Sequence, residues 1–419
     1  MNTFKLALRG LTRNRRRSLV TLLAIAFGFT AIALFAGYTH NVYSGMARHA
    51  IYGEMLGHLT LNKTGMRKEG KLDPERYLLT AQDVASIAKL LKDEPHVQIV
   101  APRLALSGLV SNGRASTIFI AEGIEPAAME HLQNHELSEQ ERQSGLYDAI
   151  LKRLDPAHVE VVDLSSGLID MLHLKIGGQA AVLTSTLTGQ ANALDISVGH
   201  SFNTGNAGSN DKFAFISLEL ARTLLDAEGR ADRLTILLDD EKQTIPMRDH
   251  LLAKLKAAGF DVEIRTWQEL SDFYNQVHGM FDMIFGFIFL IVLTVVLMSV
   301  ANSMGMTVVE RTREIGTLRA IGLKRRGVVR LFTTESMLMT LIGCTVGLLI
   351  TLGVRWGVNV ANITYVPPNS VSPVQLLVDM DGGRILITFV LMAIVGTVAA
   401  YLPARRASKK PIIDALGHV

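Results

Sequence analysis

The sequence predicts an α-helical membrane protein with four transmembrane helices and a large mixed α/β extracytoplasmic domain between helices one and two. Four stretches, Leu19–Tyr38, Phe281–Val300, Leu331–Val354 and Ile385–Leu402, reach or approach the ~20 apolar residues that a bilayer crossing needs. A polar segment of domain size separates the first two, whereas the other joins are short. Lys and Arg are distributed unevenly. The N-terminus, the 310–330 join and the tail with Arg405, Arg406, Lys409 and Lys410 are basic, while the 355–384 join has few basic residues and carries Asp379 and Asp381. Cytoplasmic segments are rich in Lys and Arg, which places both termini and the charged join in the cytoplasm and residues 57–265 outside it.

The elements follow in chain order. Residues 1–18 form a cytoplasmic amphipathic helix whose Arg13, Arg15, Arg16 and Arg17 resemble the basic region of a signal peptide. The apolar run behind them is too long for one and no A-x-A site closes it cleanly, so an uncleaved helix is expected. Val42, Met46 and Ala50 continue that helix outward at a four-residue step, giving a first span with stalk over 19–56. In the outer domain, 57–62 and 97–110 read as strands, the latter turning through Asn112-Gly113 into 115–121. Residues 80–93 form an amphipathic helix with Thr80 as N-cap and Asp83 at the third position. Strand 213–217, helix 218–227, strand 234–238, helix 245–259 and strand 262–265 follow. The weakly periodic middle, about 134–211, reads as an inserted β-rich subdomain. Thr266-Trp267-Gln268-Glu269 is a capping box, and Leu270, Phe273, Tyr274, Val277, Phe281 and Ile284 then recur at helical spacing. One unbroken helix over 266–309 is expected, ~65 Å long and about twice the hydrocarbon thickness. The third span is expected over 331–354, an extracytoplasmic loop over 355–384, the fourth span over 385–402 and a cytoplasmic tail over 403–419.

Catalytic signatures are missing from the sequence. It has no G-x-x-x-x-G-K-[ST] phosphate loop, and Ile176-Gly177-Gly178-Gln179 reads as a turn. His131 and His135 are four apart beside Glu136 with no third ligand near, which suits a solvated helix face better than a metal site. Gly199-His200-Ser201-Phe202-Asn203 lacks the last glycine of a nucleophile elbow. The only cysteine, Cys344, lies in the third span, so the outer domain folds without disulfides. No metal, cofactor or nucleic-acid site is expected in this chain.

The most informative stretch is the join between spans two and three. Glu310, Arg311, Arg313, Glu314 and Arg319 interleave with Ile315, Leu318 and Ile321, a charged helix with a narrow apolar stripe held at the membrane surface. Such a surface engages lipid headgroups or a soluble partner. Glu335 in the third span is costly unless paired, and an arginine nearby is the expected partner. Gly343 and Gly347 form a small-xxx-small face for close helix packing. The outer half of span two is dense in Phe and Met. Asp282 beside it suggests that Phe281, Met283, Phe285 and Phe289, with Phe35 and Tyr38 of span one, line an amphiphile-binding cavity.

These residues carry a family resemblance. Glu310 through Gly322 resembles the ERxxEIGxLRAxG signature of FtsX/MacB/LolC-type ABC transporter permeases. Glu335 with Gly343 and Gly347 resembles the E-x(7)-G-x(3)-G rhythm of their third helix, and Pro403 through Pro411 their terminal PAxxAxxxxP motif. Leu6-Ala7-Leu8-Arg9 through Leu19 is similar to their N-terminal amphipathic segment, and Glu122-Gly123-Ile124-Glu125-Pro126 to a segment of their outer domain. The opening and Gly57-His58-Leu59-Thr60-Leu61 look more like the LolC/LolE branch than the macrolide-exporter branch. The resemblance implies a dimer with a second permease copy or paralogue, docked on a cytoplasmic ABC ATPase dimer that binds the ATP and Mg. It also implies a periplasmic carrier or adaptor protein and surrounding membrane lipids. Glu310, Arg311, Arg313, Glu314, Ile315, Leu318 and Arg319 are then expected to couple to the ATPase. The implied activity is movement or release of a lipoprotein, peptide or other amphiphile at the outer face of the bacterial inner membrane. The alternative is an FtsX-like subunit that activates a cell-wall hydrolase without transport.

Overall fold

The computed structural model describes residues 15–70, 72–135, 151, 153–367, 371 and 373–416. Residues 1–14 of the predicted N-terminal helix, 136–150 of the middle segment and the last three residues of the tail lie outside them. The elements are α1 (Arg15–Arg48), β1 (Leu59–Lys63), α2 (Ala81–Lys92), β2 (Val97–Ser111), β3 (Ser116–Ile124), α3 (Pro126–Gln133), β4 (Val161–Ser165), β5 (Gln179–Ser185), β6 (Ala191–Phe202) and β7 (Phe213–Ser217). Then come α4 (Leu218–Leu225), β8 (Arg233–Leu238), α5 (Thr244–Ala257), β9 (Val262–Thr266), α6 (Trp267–Leu270), α7 (Asp272–Glu310), α8 (Thr312–Ala320), α9 (Arg325–Val360), α10 (Gly382–Lys409) and α11 (Ile412–Leu416). The chain divides into a helical unit of Met1–Tyr43, Val277–Ile363 and Gln375–Val419, and an α/β unit of Ser44–Gln276 with Thr364–Val374.

In the α/β unit nine strands order as β3-β7-β4-β6-β5-β2-β8-β1-β9, and β3 also pairs with β2. That extra pairing closes β2-β3-β7-β4-β6-β5 into a ring. The fifteen-residue β2 makes this possible, because Val97–Arg103 pairs with β8 while Gly108–Ser111 pairs with β5. The Asn112-Gly113 turn takes the expected form, with Gly113 at φ +83 and Asn112 Oδ1 accepting the Arg114 and Ala115 N–H groups. Inward residues of the ring, including Val110, Phe119, Leu164, Val182 and Ile216, share one core with α4. A second core joins β1, β8 and β9 to α2 and α5. The middle segment therefore does not build a sheet of its own. Its strands β4, β5 and β6 share the ring with β2, β3 and β7.

The capping boxes form as read: Thr80 with Asp83 opens α2, and Thr266 with Glu269 opens α6. The second does not start the long helix. α6 stops after four residues at Ser271, whose φ and ψ of −88° and 89° are not helical, and Ser271 Oγ then accepts the Tyr274 N–H inside the first turn of α7. The expected single helix is two, and the long one runs 39 residues from Asp272.

The helical unit holds four helices long and apolar enough to cross a membrane. Hydropathy located the apolar cores, but the helices overrun them, since a helix ends where its capping ends and not where the bilayer does. α9 starts at Arg325, six residues before the expected span, and α10 continues through Pro403 to Lys409. The 310–330 join is correspondingly broken into α8, a turn at Gly322 with φ +103, and the first turns of α9. Packing of α1 on α9 depends on the two glycines of the third span. A Cβ on Gly343 would sit 2.7 Å from Ile25 Cγ2, and one on Gly347 would sit 2.7 Å from the Ala26 carbonyl oxygen. Thr30 Oγ1 donates to the Gly347 carbonyl at 3.0 Å. α9 meets α10 through Ser336 Oγ, which donates to the Gly396 carbonyl at 2.7 Å, both buried.

Gly347→Ala is expected to lower the unfolding free energy by roughly 1–3 kcal/mol, because the new methyl meets backbone that cannot rotate away. Gly353 has open space around it, so Gly353→Ala should be neutral or slightly stabilising. Thermal unfolding of both variants in detergent checks the pair.

Candidate functional site

The charged join sits where three spans end, and its signature residues face in two directions. Arg311 turns inward. Its Nη1 donates to Glu335 Oε2 at 3.0 Å, its Nε to Glu314 Oε2 at 2.9 Å, and its guanidinium lies 5.4 Å from the centre of the Phe332 ring. Glu335 is 2% exposed, so this pair settles how a carboxylate survives inside α9. Glu310 accepts from Arg17 Nη2 at 2.7 Å, fastening the end of α7 to the start of α1. Arg319 donates to the Lys410 carbonyl oxygen, and α8 packs on α11. Ile315 is buried in the helical core and Leu318 is half-buried. Of the seven residues expected to couple to an ATPase, Arg313 is the exposed one that no ion pair fastens among the described residues. Beside it, Ile321 is 73% exposed at the tip of the turn, followed by exposed Lys324, Arg325 and Arg326. The outward surface is thus an apolar knob ringed by cations.

Five of the six residues expected to line a cavity come together. Phe35 stacks on Phe285 with centroids 5.9 Å apart, Tyr38 and Phe35 both meet Phe281, and Phe285 lies 6.2 Å from Phe289. The spacing 281, 285, 289 puts these rings on one face of α7, packed against α1. Met283 lies on another face and is 66% exposed. The carboxylate of Asp282 is held by His278 Nδ1 at 3.1 Å and by the Tyr43 hydroxyl, which donates at 3.2 Å, with the Tyr43 and His278 rings stacked at 4.3 Å. Asp282 therefore closes a local α1–α7 contact.

A second ionic cluster, not anticipated from the sequence, lies in the α/β unit. Arg103 on β2 is 1% exposed, and its Nη1 donates to the Met55 carbonyl at 2.7 Å while its Nη2 donates to Glu122 on β3 at 3.0 Å. Arg233 on β8, directly opposite Arg103 in register, donates to Glu122 and Asp232. Burial pushes the Glu122 carboxyl up, but Arg233 and Arg103 outweigh it and hold it below the ordinary value. Met55 follows the π-helical turn His49–Gly53 that ends the outward run of α1. Ala47, Ala50, Ile51 and Met55 share a core with Trp267, so the ends of the two stalk segments are seated in one apolar cluster. Charged residues at inward strand positions were the available signal. Just before β1, His58 is 2% exposed, and its Nδ1 accepts the Leu238 N–H at 3.1 Å.

The His131 and His135 rings are tilted neighbours with centroids 5.3 Å apart, and His135 stacks on Tyr52. Among the described residues no three His, Cys, Asp or Glu side chains converge as a metal site. On the ring's outer surface Ile118, Leu109 and Leu183 lie side by side across β3, β2 and β5, each more than 40% exposed.

Residues 286–412 match the family described as FtsX-like permease C-terminal. From within α7 onward the chain is similar to FtsX-like permeases. Over 420 residues it is 26% identical to the pyoverdine export ATP-binding/permease protein PvdT of Pseudomonas entomophila, covering 96% of this chain and 57% of that one. Over 124 residues it is 34% identical to the macrolide export ATP-binding/permease protein MacB of Bordetella avium, covering 30% of this chain and 17% of that one. The chain thus spans little more than half the length of PvdT. The periplasmic region of MacB from Actinobacillus actinomycetemcomitans aligns with 52% of this chain and 92% of its own at 14% identity and a TM-score of 0.35. The matched region holds the whole charged join, both glycines of α9 and all of α10. Multi-pass topology with a large extracytoplasmic domain follows from the four spans and the basic cytoplasmic joins.

Arg311→Ala should cost about 3–5 kcal/mol, because it strands Glu335 as a buried unpaired charge, whereas Arg313→Ala should stay within about 0.5 kcal/mol. Denaturant unfolding of the two variants separates them. A pH effect follows from His58, whose imidazole burial lowers from 6.5 to about 4. Between those values the unfolded chain binds the extra proton, so stability falls as pH falls through that window and is unaffected above it. The loss approaches about 3 kcal/mol by pH 4. His58→Gln, which keeps an acceptor for Leu238, should flatten that part of the acid limb in Tm measured against pH.

Proposed function

We propose that this chain is the permease subunit of a mechanotransmission-type ABC transporter in a bacterial inner membrane. A separate cytoplasmic ATPase dimer binds ATP and Mg and docks on the join. The chain pairs with a second copy or a paralogue, and the stalks carry the movement of the join to the periplasmic domain. There it moves or releases a lipoprotein, peptide or other amphiphile; the opening residues and the Gly57–Leu61 strand favour a LolC/LolE-like branch.

The observation that carries this reading is the division of the join. Arg311, Glu310 and Arg319 lock α8 to three spans and to the tail, while Arg313, Ile321 and Lys324 are left facing outward. A surface fixed so firmly behind and so bare in front suits a docking face that passes force. Relatives named for pyoverdine and macrolide export support transport over hydrolase activation, as does the size of the outer domain. The poor coverage of α7, with 11% of its apolar window buried against 28–39% in the other spans, suits a second permease chain beside it. We place the amphiphile against the exposed side of α7 at Met283, with the Phe35, Tyr38, Phe281, Phe285 and Phe289 cluster as its wall.

The test uses a proline in α7. Gly279 has open space around its Cα, so Gly279→Ala changes little, whereas Gly279→Pro removes a helix hydrogen bond and breaks the stalk by ~3 kcal/mol or more. Tyr274, in the first turn, would tolerate proline too well to serve. Gly279→Pro should keep ATPase binding and lose ATP-dependent release of amphiphile from a photo-crosslinker at Met283, while Arg313→Glu should weaken ATPase binding itself. Retained release in Gly279→Pro would rule out force transmission, and crosslinks to bulk phospholipid alone would remove the amphiphile site.

A further inference from the structure

The helical unit contains a groove that borders the docking face at Arg325 and Arg326 and runs inward from it. Between the cytoplasmic ends of α9 and α10 lies a cavity of about 680 Å³, lined on α9 by Arg325, Arg326, Val329, Arg330 and Thr333 and on α10 by residues between Thr397 and Lys409. The two helices run antiparallel, so the lining is ordered by depth. Arg325 and Arg326 in the first turn of α9 meet Arg405 and Lys409 in the last turns of α10 at the mouth. One to two turns deeper the walls are Val329, Val398 and Tyr401. Among the described residues none of Arg325, Arg326, Arg330, Arg405 and Lys409 is paired with a carboxylate. Unlike Arg17 and Arg311, they hold no part of the fold together by charge. The mouth also receives the positive end of the 36-residue α9.

We propose that this groove binds one anionic phospholipid of the cytoplasmic leaflet, its phosphate at the Arg325–Arg326–Arg405 mouth and an acyl chain along Val329, Val398 and Tyr401. The depth ordering selects the occupant. A soluble anion would use the mouth and leave the apolar wall wet, and an acidic protein surface would reach the mouth but not the depth between two membrane helices. An amphiphile with a negative head fills both. The site lies on the opposite leaflet from the proposed amphiphile site on α7, and its test is independent of ATP.

The full chain carrying Tyr401→Trp is reconstituted into phosphatidylcholine vesicles containing one-fifth brominated phosphatidylglycerol or, in parallel, one-fifth brominated phosphatidylcholine. Quenching of the native tryptophans, measured on the parent chain, is subtracted. The anionic lipid is expected to quench the introduced indole more strongly, with a selectivity on the order of fivefold or more, since each basic residue near the surface favours anionic lipid. Arg325→Gln/Arg326→Gln/Arg405→Gln, added to Tyr401→Trp, should bring that ratio to one, and the matching triple lysine variant should restore it, which a misfolded groove would not. Equal quenching by both lipids in the Tyr401→Trp chain overturns the proposal. So does full displacement of the selective quenching by inorganic phosphate at constant ionic strength, which would mark a simple anion site, or by saturating ATPase, which would mark a protein interface.

Discussion

The Arg311–Glu335 pair is the constraint on which the cytoplasmic side of this molecule depends. A carboxylate 2% exposed inside a membrane helix is tolerable only against a fixed cation. Because Arg311 lies between α7 and α8, satisfying Glu335 fixes where α7 must end and how α8 must leave it. The same guanidinium then orients Glu314 and covers Phe332, so three side chains on α8 and α9 are set by one. Burial makes the pair hard to break, although not a large net source of stability. Its contribution is to leave the join one arrangement rather than several.

The α/β unit repeats that logic with different parts. Arg103 holds the carbonyl of Met55, just beyond the outward end of α1, to Glu122 and through it to Arg233. This ties the strand junction where β2 passes from the β8 side to the ring to the point where α1 enters the domain. The apolar cluster of Ala47, Ala50, Ile51 and Trp267 closes around the same junction. The domain end of the stalk is therefore held by charge as well as by packing, and an arginine between carboxylate and backbone resists twisting in a way that apolar contacts alone do not.

What was legible in the sequence was what repeats or is strongly local. Apolar runs of bilayer length, the Thr80–Asp83 and Thr266–Glu269 capping boxes, the Asn112-Gly113 turn and the Gly343/Gly347 pair each declare their structure within a few residues, and each is found. Long-range pairings were not legible. That β4, β5 and β6 close a ring with β2 depends on two different registers along one strand, which no local pattern reports. Arg311 and Glu310 illustrate the limit at the site itself. Their spacing and charge mark a docking helix, but only the approach of α1 and α9 decides that they pair with the spans and leave Arg313 free to face outward. The end of α6 at Ser271 was also hidden, because the apolar periodicity runs on through the break while a serine side chain restarts the helix.

The polar groups of the membrane helices are satisfied within the helical core itself. Polar side chains within the helical core, Thr30, Ser336 and Thr340, donate directly to helix carbonyls, and Glu335 is held by Arg311. None of these four is left to line an aqueous path, as a carrier or channel for a polar solute requires. Gly343, Gly347 and Gly396, which could have opened a passage, are instead met by neighbouring side chains and backbone. The core of this unit is closed, and α7 is exposed along most of its apolar length. Each unit thus has one arginine that fixes a chain end: Arg311 where α7 ends, and Arg103 at the Met55 carbonyl just beyond α1.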